Sequence, residues 1–373
     1  MGMRFGPARL PVVLLTAAWL VGLSYGAVRA DSKPAGAITP AGPTTAPALQ
    51  NPGLECKVGY VTQAGIQRRV PLGWTGVLIS GTPQLDSVRI RWDPGGCDGS
   101  GWVEHLEGDD SLVFVAQDLE TPPEPGKPFD AAVYQQVAVT PGTAYSLSGW
   151  MVSFCGGSAT PSSCPTDDYM EKLLGIDPAG GTDPLGPNVM WVGDRRNFTE
   201  SRWVNLRLAA TAQSDQLAVF GRIRSPFQWH GNHALVDGFS LVRAPTAYFV
   251  GAPAAVGTNE ARVEWNGAQS PDVLAIPEGQ YHLFFDIQYR IGSQGDWMDW
   301  LTDRPAESAT FAANGCTGVQ TYAFRVRSRA EQINGVGAFP NHRYPGVWSE
   351  PASVVLGSPA VCIPRAYLPL VQR

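Results

Sequence analysis

The chain has 373 residues, of which only 16 % are charged, whereas glycine (42), proline (32) and tryptophan (12) are plentiful. Without residues 1–30, which hold three arginines and no acid, 24 basic residues stand against 33 acidic ones, a net charge of −9. That balance excludes a general nucleic-acid binder, which needs a basic face for phosphates, and disfavours docking on anionic lipid. The turn-rich composition suits an exported all-β protein and not a helical enzyme.

Residues 1–30 read as a signal peptide: Arg4 and Arg9 open it, residues 10–23 are apolar, and Val28-Arg29-Ala30 fits a cleavage site. The apolar run is about 14 residues, short of the ~20 that span a bilayer. The competing reading is an uncleaved anchor; with cleavage, no membrane insertion is expected, and the protein is secreted or held at the cell surface. Residues 31–50 are rich in Ala, Pro, Thr and Gly and read as an extended linker.

Ordered sequence begins near Asn51. Between residues 51 and 244 the apolar alternation and turn clusters predict strands at 88–92, 112–116, 133–139, 144–152, 188–191, 203–209, 217–223 and 234–242. Residues 133–150 are the clearest hairpin: two alternating runs flank Thr140-Pro141-Gly142-Thr143, and Trp150 closes the second. Many short strands without an amphipathic helix predict a two-sheet sandwich. A short helical turn is expected at 167–174, capped by Asp167. A second unit at 245–357 should hold strands at 261–265, 285–291, 321–328 and 352–356, followed by a tail at 358–373.

The first unit resembles a jelly-roll carbohydrate-binding module of the galactose-binding-like superfamily. The resemblance rests on Asn51-Pro52-Gly53-Leu54-Glu55, Pro71-Leu72-Gly73-Trp74, Tyr134-Gln135 with Pro141-Gly142-Thr143 and Tyr145, and Ala234-Leu235-Val236-Asp237-Gly238-Phe239-Ser240-Leu241. The second unit resembles a fibronectin type III domain through Trp265, Tyr289, Tyr322-Ala323-Phe324-Arg325-Val326-Arg327-Ser328 and Gly346-Val347-Trp348-Ser349-Glu350-Pro351. The fold expected is therefore all-β, a jelly-roll β-sandwich followed by a fibronectin type III-like β-sandwich. The resemblance implies a buried Trp265, a tyrosine corner at Tyr322, and a structural calcium between Glu55 and Asp237, which also read as a surface Glu and a turn Asp. Ala366-Tyr367-Leu368-Pro369-Leu370-Val371 resembles a terminal signature on exported proteins of Chloroflexota-type bacteria.

Sugar binding needs flat aromatic faces and a few planar polar groups. The candidates in the first unit are Trp74, Trp92, Trp102, Trp150, Trp191, Trp203 and Trp229. Trp150 and Trp203 are expected in the core, as tryptophans on alternating strands pack between sheets. Trp102 and Trp229, in turn-rich or polar loops, are the candidate ligand-binding faces. The segment 175–188, GIDPAGGTDPLGPN, should sit at one rim, with Asp177, Asp183 and Asn188 either binding a ligand or closing Asx-turns.

Six cysteines in an exported chain suggest disulfides. Cys155 and Cys164 would clip one loop, and Cys56–Cys97 and Cys316–Cys362 each fall within one expected domain, although many pairings exist. No CxxC is present, which argues against zinc. His230 and His233 form HxxH without a HExxH frame and read as a small metal site or as solvated loop histidines. No GxSxG, P-loop or GxGxxG context appears, so no catalytic residue is expected. The sequence thus predicts an exported, non-catalytic protein that binds a polysaccharide or surface glycan, with partner proteins reached through the fibronectin-like unit. The rival readings are a structural or adhesive surface protein without a sugar site, and an accessory module of a secreted glycan-degrading system.

Overall fold

A computed structural model describes residues 47–64, 69–86, 105–115, 128–154, 168–196, 203–225, 233–276, 280–313, 318–333 and 342–357. The expected signal peptide, most of the linker, the strand at 88–92 and the tail at 358–373 lie outside them. The first sandwich comprises β1 (Tyr60–Val61), β2 (Val70–Pro71), β3 (Thr75–Ser80), β4 (Gln84–Asp86), β5 (Leu112–Val115), β6 (Phe129–Ala138), β7 (Ala144–Phe154), β8 (Asp168–Asp177), β9 (Met190–Arg196), β10 (Val204–Thr211), β11 (Gln216–Ser225) and β12 (His233–Arg243). β1 pairs with β2, and the others form two five-stranded sheets, β10-β7-β12-β5-β4 and β3-β6-β11-β8-β9. Alternate residues of facing strands fill the space between them: Val133 and Val137 of β6, Leu147 and Met151 of β7, Leu174 and Ile176 of β8, Val219 and Ile223 of β11.

The sequence motifs spread over almost 190 positions meet at one end of this sandwich. Asn51 accepts the Trp74 indole N–H on its carbonyl at 3.0 Å, and the Trp74 ring lies 4.8 Å from Phe239. Gln135 points inward from β6, its amide donating to the Gln50 and Gly73 carbonyls and its Oε1 accepting the Gln50 N–H. A buried amide with its partners supplied is stabilising, and losing one of them costs ~1–3 kcal/mol.

Residues 168–174 are strand and not helix, and the expected cap Asp167 lies outside the described residues. Asp168–Asp177 is strand β8, with Met170, Leu174 and Ile176 buried in the core. Lys172 shares their face and is fully buried, its Nζ 3.1 Å from Ser153 Oγ and 3.5 Å from Asp194 Oδ1. That lysine in the inward register broke the apolar alternation and left a pattern that mimicked helical spacing.

The second sandwich comprises β13 (Thr246–Phe249), β14 (Ala254–Ala255), β15 (Glu260–Ala268), the short helix α1 (Pro271–Leu274), β16 (Tyr281–Ile291), β17 (Met298–Arg304), β18 (Ser308–Ala312), β19 (Gln320–Gln332), β20 (Arg343–Pro345) and β21 (Ala352–Leu356). β13 and β14 share one edge of β15 and β18 takes the other; the second sheet runs β17-β16-β19, with β20 and β21 sharing the far edge of β19. Trp265 is buried as expected, with Phe285, Phe311, Tyr322, Phe324 and Val326 around it.

Only Ala244 and Pro245 separate β12 from β13, and both sandwiches belong to one compact unit. β20 lies against β7 and β10, and α1 against β12. Val242 of β12 packs with Val273, Ala330 and Tyr344 of the second sandwich. Arg243 Nε reaches both Asp272 oxygens at 3.1 and 2.9 Å, and Ser240 Oγ meets Tyr344 OH at 3.2 Å. Trp150 is 1 % exposed, but its neighbours Tyr145, Leu147 and Met151 define the inner face of β7. Its own indole therefore points outward, edge-on to His342 at 6.0 Å. Trp150 is buried by the second sandwich and not between the sheets of the first. Trp203, also expected in the core, is only half-buried, just before β10.

Burial holds the His342 imidazole below its ordinary value of 6.5. The unfolded chain then binds more protons than the folded one in the window just below 6.5, so stability falls as pH drops through it. The melting temperature should decline by a few degrees between pH 7 and pH 5, and His342→Gln should flatten that part of the profile.

Candidate functional site

The outer face of β3-β6-β11-β8-β9 carries the groups suited to a ligand. Because the inner positions of β6 and β11 are odd-numbered, Asp130, Tyr134, Phe220, Arg222 and Arg224 fall on the outer side. The register aligns them in rows across the sheet. Thr75, Tyr134, Phe220, Gly175 and Trp191 form one row, and Asp130, Arg224 and Glu171 another.

Trp191 gains its position from its partner. A Cβ at Gly175 would lie 2.6 Å from the Trp191 ring, so the indole rests directly on the β8 backbone. Phe220 flanks it at 5.7 Å and Tyr134 lies 5.8 Å from Phe220, with the Arg222 guanidinium 5.6 Å from the indole centroid. Phe220 is buried, whereas Trp191 and Tyr134 are half-exposed, which leaves an aromatic surface open to solvent.

Polar groups continue the face. Arg222 donates from Nε and Nη2 to the two oxygens of Asp130 at 2.8 and 2.6 Å, and from Nη1 to the Pro184 carbonyl at 3.4 Å. Arg224, half-exposed, donates to Glu171 Oε2 at 2.6 Å. Asp130, Glu171, Arg224, Arg195 and Ser80 line an open pocket of about 350 Å³ beside them. Fixed charged pairs of this kind can accept and donate to vicinal hydroxyls without reorganising.

The segment 178–189 is held to this sheet by Gln136 and Arg222, and Gly175–Asp177, expected in the loop, belongs to β8 itself. Gln136 donates to the Gly180 carbonyl at 2.7 Å. Asp177 is buried and accepts the Ala179 N–H at 2.8 Å, and Asp183 accepts the Leu185 N–H at 2.8 Å. Both carboxylates close Asx-turns. Asp183 and Asn188 are exposed. Trp102 and Trp229 lie outside the described residues, as does His230; His233 begins β12. Trp191 was one of the seven candidate tryptophans and Tyr134 part of the jelly-roll motif, but neither was chosen as a ligand face; Arg222, Arg224, Asp130 and Glu171 were not singled out from sequence, though Phe220, Arg222 and Arg224 at every second position of β11 were a readable signal of a polar-aromatic outer face.

Glu55 and Asp237 converge on the turn at residues 105–110. Asp237, fully buried, accepts the Leu106 and Glu107 N–H groups on Oδ2 at 2.6 and 3.0 Å and the Gly238 N–H on Oδ1 at 2.6 Å. Glu55 accepts the Asp109 N–H with both oxygens. Burial raises both carboxyls above their ordinary range, with Asp110 and Asp109 adding to Glu55 and Glu107 adding to Asp237. Hard carboxylate oxygens are of the type calcium takes, but among the described residues no three His, Cys, Asp or Glu side chains are arranged to hold a metal ion. Cys56 is disulfide-bonded; Cys97, Cys155, Cys164, Cys316 and Cys362 lie outside the described residues.

No protein-family model matches the chain, and no curated protein matches it. Solved structures similar to it include a family 61 carbohydrate-binding module in complex with β-1,4-galactotriose, 14 % identical over 52 % of this chain and 97 % of that one, TM-score 0.31. A family 16 carbohydrate-binding module is 20 % identical over 37 % and 80 %, TM-score 0.22. The tandem CBM22 domains of Paenibacillus barcinonensis Xyn10C are 11 % identical over 85 % and 88 %, TM-score 0.31. At these scores the function has to be argued from the chain's own surface.

Gly175→Ala should cost ~1–3 kcal/mol by overpacking against Trp191. Urea denaturation of the single and double variants checks this: the penalty should largely vanish in a Trp191→Ala background.

Proposed function

We propose that the protein is an exported, non-catalytic glycan-binding protein whose ligand lies on the Trp191 face of the first sandwich. The observation that carries this is a half-exposed indole seated on Gly175 beside Tyr134, next to the Arg224–Glu171 pair. A pyranose ring stacks its C–H groups on such a surface, while the paired charges hold its hydroxyls. Asp130 and Glu171 are each engaged by an arginine, an arrangement suited to binding and not to proton transfer.

Export is proposed on the N-terminal residues alone; no helix among the described residues is long and apolar enough to cross a membrane. Trp102 and Trp229 are proposed as further stacking faces, and Asp183 and Asn188, exposed on the adjoining loop, as polar contacts. The second sandwich is proposed to be fibronectin type III-like, supported by its strand order and by the buried Trp265, and to contribute contacts to partner proteins.

A screen of the full chain against plant, fungal and bacterial polysaccharides tests the reading. At least one should bind, and Trp191→Ala should weaken that binding roughly tenfold or more, the scale of a lost stacking contact and its desolvated pocket. Absence of binding across the whole screen would favour the structural or adhesive reading.

A calcium ion at Glu55 and Asp237 is proposed from the resemblance and from their shared turn. It would relieve the burial of charge that raises both carboxyls. Added calcium should raise the melting temperature of chelator-treated protein, with Glu55→Gln abolishing the gain; an unchanged melting temperature rejects the ion.

A further inference from the structure

A second cleft, of about 580 Å³, opens between the two sandwiches. Pro178, Met190 and Val192 with β10 residues 207–211 form one side, and Asp286, Arg327, Arg329 and residues 345–348 form the other. Its volume is within the range of ordinary ligand sites. Its charge is one-sided: Arg207, Arg327 and Arg329 line it against the single carboxylate of Asp286.

Asp286 is already occupied. Its Oδ2 takes Arg327 at 3.0 Å and Arg329 at 3.7 Å. Arg329 also pairs with Asp303 and Glu331, and Glu331 with Arg343 at 2.7 Å. The carboxylates around the cleft are thus shared among Arg327, Arg329 and Arg343. Arg207, half-buried on the outer side of β10, has no hydrogen-bond or ion-pair partner among the described residues. Desolvation and the neighbouring Arg343 and Arg329 guanidiniums push it down to about 10, so it stays cationic at neutral pH and faces like charge. A guanidinium in that position gains most from a planar anion that it can grip with two N–H groups.

We propose that the cleft between the sandwiches binds the carboxylate of an acidic sugar, with Arg207 as its principal partner. Arg327 and Arg329 supply the surrounding positive field. Met190, Val192, Leu208 and Val347 offer apolar walls for the ring carbons. The site needs residues from both sandwiches and is separate from the Trp191 face, so either can fail without the other.

Calorimetric titration of the full chain with trigalacturonate and with neutral galactotriose at low salt tests this. The acid should bind at least tenfold more tightly than the neutral sugar, and 0.5 M salt should remove most of the difference. Arg207→Gln should abolish the preference, roughly tenfold, with an unchanged or higher melting temperature because a repulsion is relieved. Arg207→Lys, which keeps the charge and loses the two-pronged grip, should fall between. Equal binding of acid and neutral sugars, no binding of trigalacturonate, or a preference that survives Arg207→Gln and disappears with Trp191→Ala would overturn the assignment.

Discussion

The buried Asp237 carboxylate is the point on which both sandwiches depend. It sits at a bulge in β12, where the register with β7 shifts between Asp237 and Ser240 and Gly238 turns to a φ of 57°. Two of its three backbone hydrogen bonds hold the turn at 106–107, and Phe239, two residues on, donates to the Pro52 carbonyl and packs on Trp74. Beyond the bulge the same strand meets the second sandwich through Ser240, Val242 and Arg243. One strand therefore closes the first core, anchors the opening segment and seats the neighbouring domain. Burial pushes this carboxyl upward, and the N–H donors on both oxygens oppose that shift.

Most strands were legible because one face of each packs inward and the apolar residues recur at every second position. The expected runs at 144–152, 217–223 and 234–242 fall within β7, β11 and β12, and the run at 133–139 overruns the end of β6 by one residue. β8 was misread for a local reason, the buried Lys172 in the apolar register. Trp150 illustrates a different limit: it was expected between the sheets, yet it falls out of register with Tyr145, Leu147 and Met151 and is buried on the outer face by a second sandwich that alternation does not reveal. The short strands β13, β14, β17, β18 and β20 carried little periodicity of their own and are defined by their partners.

The candidate site was less legible than the fold. Its principal feature is a relation between Gly175 and Trp191, sixteen positions apart, and neither residue signals the other. Only the β8–β9 register puts the glycine beneath the indole. Arg222 is similar: its pairing with Asp130 crosses 92 positions. The Gly and Pro content of 175–188 marked a loop, of which 175–177 proved to be the end of β8, and the role of Asp177 depended on whether its side chain turned outward or back to the Ala179 N–H.

The two-residue join after β12 has a mechanical consequence. Tension applied between the two sandwiches loads β12 from its C-terminal end, along the strand. The nine register positions that β12 shares with β7 then carry the force in parallel instead of opening one after another. Arg243 and Val242, clamped across the seam at the point of loading, keep that force off the Ala244-Pro245 backbone. The pair of sandwiches would respond to tension as one stiff body, more like a welded bracket than two beads on a string.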